Sequence, residues 1–216
     1  TASIGKIRDV ESAGANEPML AMGSGTWAVG KSSALSAGLQ STDNYNSVGL
    51  ALDSSFSQRF SIGLRNNLSR ENIQKLKGVR NSISVGATLP ADIQMALSAT
   101  TQTQGYRDVL DTLMPGQRSA QSSRFKNQYT AGFSWAEPQL GGFSIGYTRG
   151  SYFNSRTTQH VYGSWNKSFQ YATVGVTVDS QVGQSTSTND NDRNDDGVGV
   201  RLQVSVPLGA DRSLTS

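Results

Sequence analysis

Gln128-Tyr129-Thr130-Ala131-Gly132-Phe133-Ser134-Trp135 is the stretch on which the fold turns. Tyr129, Ala131, Phe133 and Trp135 take every second position, and Gln128, Thr130, Gly132 and Ser134 take the others. A period of two sends successive side chains to opposite faces of an extended strand, whereas a helix would scatter these aromatics around its axis. One face is apolar and bulky. The other is small and polar.

The same pattern recurs in both directions. Downstream, Phe143, Ile145 and Tyr147 oppose Ser144, Gly146 and Thr148, and Val161 and Trp165 oppose Tyr162 and Ser164. Val174, Val176 and Val178 oppose Thr173, Thr177 and Asp179, and Val198 to Val206 alternate with Arg201, Gln203 and Ser205. Upstream, the apolar rows are Leu35/Ala37/Leu39, Val48/Leu50/Leu52, Phe60/Ile62/Leu64, Ile83/Val85/Ala87/Leu89 and Ile93/Met95/Leu97/Ala99. The charges of these runs (Asp53, Arg59, Arg65, Arg80, Asp92, Asp179 and Arg201) fall on the polar side. A cation on the lipid side of a membrane strand costs about 2–4 kcal/mol at midplane, which would enforce such a rule. A soluble sandwich alternates too. Two features favour the membrane. The polar face is rich in Ser, Thr, Gly and Gln rather than Lys and Glu. Aromatics (Tyr129, Trp135, Phe143, Tyr147, Tyr152, Phe153, Phe169, Tyr171) gather toward run ends, where barrels carry girdles.

Composition fits this reading. The 216 residues are 35% hydrophobic and 16% charged, with 23 Gly and no Cys. Mean hydropathy is −0.42 and the pI about 9.3. No segment approaches the ~18 consecutive apolar residues of a membrane helix. A barrel keeps a low average because lipid-facing and polar residues alternate. The net charge of +3 is spread along the chain without the dense basic cluster of a nucleic-acid site. The absence of cysteine removes disulfides and thiolate metal sites. The chain opens at Thr1 without a leader, as a mature protein or a piece of a longer one would.

The expected fold is all-β, an antiparallel transmembrane β-barrel or partial barrel of about ten or eleven strands, in a single segment over 1–216. Residues 66–78 read as a loop with one helical turn, from the i,i+4 spacing of Glu71 and Lys75. Residues 101–126 read as a long break with a short helix at 107–114, and 183–197 as a solvated loop.

Several segments, taken in order, are similar to the outer-membrane fimbrial usher of chaperone–usher pili. Gly38-Leu39-Gln40-Ser41-Thr42-Asp43-Asn44-Tyr45 resembles the family's Gly-x-Gln-x-x-x-x-Tyr stretch after the plug. Gly105-Tyr106 with Asp108-Val109-Leu110 resembles its Gly-Tyr segment. Tyr152-Phe153, Tyr162 to Phe169, and Val204-Ser205-Val206-Pro207-Leu208-Gly209 resemble later strands, with Phe153 where a Trp is usual. The resemblance covers the middle of the barrel, over about 25–209. It implies no N-terminal chaperone-binding, plug or C-terminal domain in this chain. It further implies a bacterial outer-membrane location and a pore that accepts periplasmic chaperone–subunit complexes and passes the assembled fibre outward. The implied partners are those complexes, bound mostly by sites elsewhere, and membrane lipid. No cofactor and no catalytic residue are implied. The alternatives from the residues alone are another outer-membrane porin or channel, or a soluble all-β binding module.

Three motifs point elsewhere. Gly25-Thr-Trp-Ala-Val-Gly30-Lys31-Ser32 matches a phosphate-binding loop, but no helix pattern follows it, and a hairpin turn accounts for it better. Gly142-Phe143-Ser144-Ile145-Gly146 matches a nucleophile elbow but lies inside an alternating run, with His160 the sole histidine available as base. Asp192 to Gly197 opens like a calcium loop whose twelfth position is Gln203 rather than glutamate. Asp108 and Asp111 are paired acids with no evident pocket. The chain is expected not to be an enzyme.

Overall fold

The computed structural model describes residues 1–6, 19–109, 111, 124–184, 197–207 and 213–215. Among these residues thirteen strands form one sheet in sequence order: β1 Ala2–Lys6, β2 Met19–Val29, β3 Ser33–Thr42, β4 Tyr45–Ser57, β5 Phe60–Glu71, β6 Leu76–Thr88, β7 Gln94–Gln102, β8 Phe125–Glu137, β9 Gly141–Tyr152, β10 Thr157–Ser168, β11 Thr173–Gln184, β12 Gly197–Pro207 and β13 Ser213–Thr215. The ladders given residue by residue are antiparallel. The ten alternating runs and the strand before the Gly30 turn are all present. The strands beyond the expected eleven are the short β1 and β13 at the sheet edges, too brief to carry a periodic signal.

Contacts divide the chain into two compact units. The first comprises Thr1–Ser84, Ala99–Asn127 and Tyr152–Asn154, and the second Val85–Ser98, Gln128–Ser151 and Ser155–Ser216. In the first, register joins the apolar rows: Leu35 sits between Trp27 and Leu52, Leu39 between Gly23 and Val48, and Leu52 faces Leu64. In the second, Val176 lies between Trp165 and Leu202, and Val178 between Gly163 and Val200. On the polar face, hydroxyls pair across strands, as Thr26 with Ser36 at 2.9 Å and Ser144 with Ser164 at 2.7 Å. Turns follow local chemistry. Gly30 ends β2 at φ +76° and Gly141 opens β9 at φ +93°, both left-handed values that glycine takes without strain.

The apolar face stays open. Among the described residues the buried hydrophobic side chains are Tyr45 and Tyr106, 2% and 4% exposed. Leu50, Leu202 and Val200 are 49%, 63% and 71% exposed. Burying one such side chain is worth about 1.5–3 kcal/mol, so a whole sheet face of them in water would forfeit a domain's stability. A hydrocarbon surround removes that cost and matches the alternation. No described helix is long and apolar enough to cross a membrane, which leaves crossing by strands open.

One sequence expectation fails. Residues 66–78 are not a loop, because β5 runs to Glu71 and β6 starts at Leu76. Asn66 and Arg70 hid the strand by standing in the apolar row of Leu64 and Leu68. Asn66 sits on the apolar face, where its amide donates to Asn81 of β6 and is thereby satisfied. The helical turn is replaced by the tight turn 72–75. Glu71 accepts from the Gln74 amide there at 3.0 Å, and Lys75 takes φ +54°. The expected helix at 107–114 and the loop at 183–197 fall largely outside the described residues.

Candidate functional site

The principal polar cluster lies in the first unit, where the chain leaving β7 doubles back across the polar face of β4, β5 and β6. Thr103 begins the crossing. Its amide donates to the Val79 carbonyl, and its hydroxyl accepts from the Val79 amide, both at 2.9 Å. Gly105 and Tyr106 then pass directly over Lys77 and Gly78 of β6. A β-carbon on Gly78 would collide with the backbone of Tyr106 and stand 2.6 Å from the Gly105 carbonyl carbon. One on Gly105 would collide with the Lys77 carbonyl. Two glycines facing each other are the condition for backbone lying on backbone.

Side chains fasten this strap. The Tyr45 hydroxyl donates to the Arg107 carbonyl at 3.0 Å, and the Arg107 amide donates to Ser69 Oγ at 3.0 Å. The Arg107 guanidinium folds back to donate to the carbonyls of Gln104 and Tyr106, at 2.9 and 2.8 Å. Arg80 is the hub. Its Nε donates to Gln102 Oε1 at 3.0 Å, its Nη2 lies 3.2 Å from Asp108 Oδ2, and its guanidinium sits 4.5 Å from the Tyr106 ring centre. The Tyr106 hydroxyl donates to Asp108 Oδ1 at 3.0 Å. Asp111 accepts from the Asp108 amide at 2.9 Å and pairs with Arg124 at 2.7 Å. Burial, with Asp108 beside it, raises the Tyr106 phenol above the usual tyrosine range. Burial, reinforced by Arg124, lowers Arg107.

Beside the strap a cavity of about 460 Å³ is lined by Gln40, Tyr45, Asn67, Arg80, Tyr106 and Asp108, among others. Two sequence segments singled out for their resemblance, 38–45 and the described part of 105–110, thus meet at one place. Asp108 and Asp111, without an evident pocket in the sequence, are tied into the strap. Arg80, Ser69 and Gly78 carried no local signal, because their role exists only through contacts with residues distant in sequence.

The other motifs take strand positions. Gly25 to Val29 belong to β2, Gly30–Ser32 are a turn and β3 follows at Ser33, so residues 25–32 form a hairpin rather than a strand-to-helix loop. Ser144 lies within β9 opposite Ser164, not on an elbow, and His160 lies in β10 opposite Thr148. Residues 192–196 lie outside the described residues, while Gln203 pairs with Gly175 in the ladder.

Comparison with known proteins agrees with this architecture. The model of the family described as outer membrane usher protein matches residues 1–216. An uncharacterized outer membrane usher protein of Escherichia coli (strain K12), YhcD, is 24% identical over 199 residues. That match takes in 92% of this chain and 24% of the relative, so the chain spans about a quarter of its length. The structure of the P pilus usher (PapC) translocation pore superposes over all of this chain and 44% of its own, with TM-score 0.65 and 18% identity. The Acinetobacter baumannii protein OccAB3 shares the fold over 92% of this chain and 56% of its own, with TM-score 0.53 and 12% identity. With the family model matched from end to end, this chain belongs to the outer membrane usher protein family.

Proposed function

We propose that this chain is part of the wall of a pore through which pilus subunits cross the outer membrane, and that it catalyses no reaction. The observation that carries the reading is the division of the sheet into two unlike faces. The exposed apolar rows suit lipid. The opposite face, of serine, threonine, glycine and paired charges, suits a passage for folded protein that must slide without sticking. By family, the cargo is a chaperone–subunit complex delivered from the periplasm, recruited by sites elsewhere, and the driving energy is that of subunit folding and strand exchange. No cofactor enters. The strap 103–108 stands on the polar face and therefore on the side of the cargo.

The test is photo-crosslinking in cells that assemble the fibre. A photoreactive residue at Gln203 or Thr177, on the polar face, is expected to capture a subunit in transit, and one at Val200 to capture none. Equal capture at Val200 and Gln203, or none anywhere during active assembly, contradicts the proposal.

A further inference from the structure

Among the described residues the middle of the strands carries no charge on the apolar face, while one end gathers several cations there. In the first unit, Asn66 and Asn81 touch across β5 and β6 on the apolar face. Four residues forward from Asn66 and four back from Asn81, the alternation puts Arg70 and Lys77 on that same face. Both are exposed and flank the 72–75 turn, with Asn46 opposite Arg70. Lys126 of β8 joins them. Its neighbour Phe125 lies 5.3 Å from the Arg80 guanidinium on the polar side, and adjacent exposed residues Gln128 and Tyr129 mark a one-residue slip in the alternation of β8, so Lys126, which is exposed, points to the apolar side. The second unit, taken by itself, repeats the feature: Arg149, exposed and opposite Gln159, ends the row Phe143, Ile145, Tyr147.

No described acid of either unit faces these cations from a strand. In the first unit Asp53, Glu71, Asp108 and Asp111 belong to the polar side, and Asp43 sits in the turn between β3 and β4. In the second, Asp179 is on the polar face opposite Gly199, Glu137 ends β8 at the other end, and Asp92 is in a turn.

Loop lengths orient this end. In the first unit the span 7–18 joins β1 to β2 at the end that holds Arg70 and Lys77, where the short turns 43–44 and 72–75 also lie, while 30–32 and 58–59 close the opposite end. In the second, 185–196 leaves from the Arg149 end, and 138–140 and 169–172 close the other. Membrane barrels have long extracellular loops and short periplasmic turns. The opposite end carries the larger aromatics: Trp27, Phe56 and Phe60 in the first unit, and the Trp135–Phe143–Trp165 cluster in the second, with ring centres 5.5 and 6.5 Å apart. There, among the described residues, the apolar-side cation is Lys167, which is engaged over Phe169 at 5.1 Å and donates to the Gln139 carbonyl.

We propose that Arg70, Lys77 and Lys126 in the first unit, and Arg149 in the second, bind the phosphate groups of the phosphorylated glycolipid in the outer leaflet. Long cationic side chains at the rim lay their stems along hydrocarbon and raise their charge to headgroup level. Arginine there presents a planar donor fork to phosphate oxygens, and lysine a point charge. An anionic headgroup supplies the counter-charge the strands lack.

The proposal rests on the membrane reading, and the test separates the two. The full chain, folded in detergent micelles, is titrated with diphosphoryl lipid A and with its dephosphorylated form. Wild type is expected to prefer the diphosphoryl form. The variant R70Q/K77Q is expected to lose about 25-fold of that affinity, at roughly fivefold per cation. Its binding of the dephosphorylated lipid, and the binding of Lys167→Gln, are expected to stay unchanged. Arg149→Gln alone, with a smaller loss, keeps the test alive should the double variant misfold. Equal affinity for both lipids in a detergent-folded chain, or an equal loss in Lys167→Gln, overturns the phosphate proposal and leaves the membrane strands standing. A chain that folds in buffer and ignores lipid overturns both.

Discussion

The backbone of Tyr106 lies against the α-carbon of Gly78, in the space that a β-carbon at residue 78 would fill. That relationship sets the path of the strap. With glycine at 78, the crossing segment comes near enough for Arg107 to bond Ser69 and for Tyr106 to lie beside Arg80. A strand residue without a side chain thus fixes where a distant segment rests on the polar face.

Gly78→Ala is expected to lift the strap at a cost of about 1–3 kcal/mol, the usual penalty of forcing atoms into filled space. Gly38→Ala serves as the control. Its β-carbon would meet the Gly23 carbonyl oxygen at an ordinary 3.7 Å, and stability should stay within about 0.5 kcal/mol. Denaturant titration in detergent measures both, and limited trypsin digestion at Arg107 should accelerate in Gly78→Ala only.

Arg80 should matter more than its anionic partner. The Arg80–Asp108 pair is partly solvated, with side chains 23% and 44% exposed, so Asp108→Asn should cost only about 0.2–1 kcal/mol and lose its effect in high salt. Arg80→Met also removes the bond to Gln102 and the contact with the Tyr106 ring. It should cost about 1–2 kcal/mol more, with most of that loss persisting in salt. Equal losses in the two variants would show the ion pair to be the whole of the interaction.

Alkaline pH should loosen the strap. The folded chain holds the Tyr106 proton above the usual range, because burial and Asp108 disfavour the phenolate. The unfolded chain releases it near pH ~10. Stability from this group is therefore full below that pH and is lost as pH rises through and beyond it. In an ultraviolet tyrosinate titration, subtracting Tyr106→Phe from wild type should leave no transition in the ordinary tyrosine range. A normal transition in that difference would show the phenol to be solvated.

Charge on the two faces should have opposite consequences. Val200→Arg places a cation on the exposed apolar row of β12 and should cost about 2–4 kcal/mol in a bilayer. Gln203→Arg, on the polar face three residues on, should fold nearly as well as wild type. The yield of heat-modifiable folded protein in lipid vesicles distinguishes them.

The strands were legible because each carries its own periodic signal, as Tyr129 to Trp135 does. Residues 66–78 were not. Asn66 interrupts an apolar row, and its acceptability depends on Asn81, fifteen residues away. Arg70 and Lys77 read as loop residues because a charge on an apolar face makes sense only at a membrane rim. The strap was half legible. Tyr45 and the Gly105-Tyr106 pair were marked by resemblance, yet their meeting spans sixty-two residues, from Tyr45 to Arg107. Gly78 and Ser69 carried no signal at all, since glycine and serine are ordinary on a polar strand face.

The most direct test of the account is a cysteine scan along β4 of the chain reconstituted in lipid vesicles, which is clean because the sequence has no cysteine. A fluorophore at Val48, Leu50 and Leu52 should be quenched by bilayer-embedded quenchers, and one at Ser47, Gly49 and Ala51 by aqueous ones. Quenching that alternates residue by residue is the predicted result. Uniform aqueous quenching at all six positions, with the β-sheet formed in plain buffer, would contradict it and place this sheet outside the membrane.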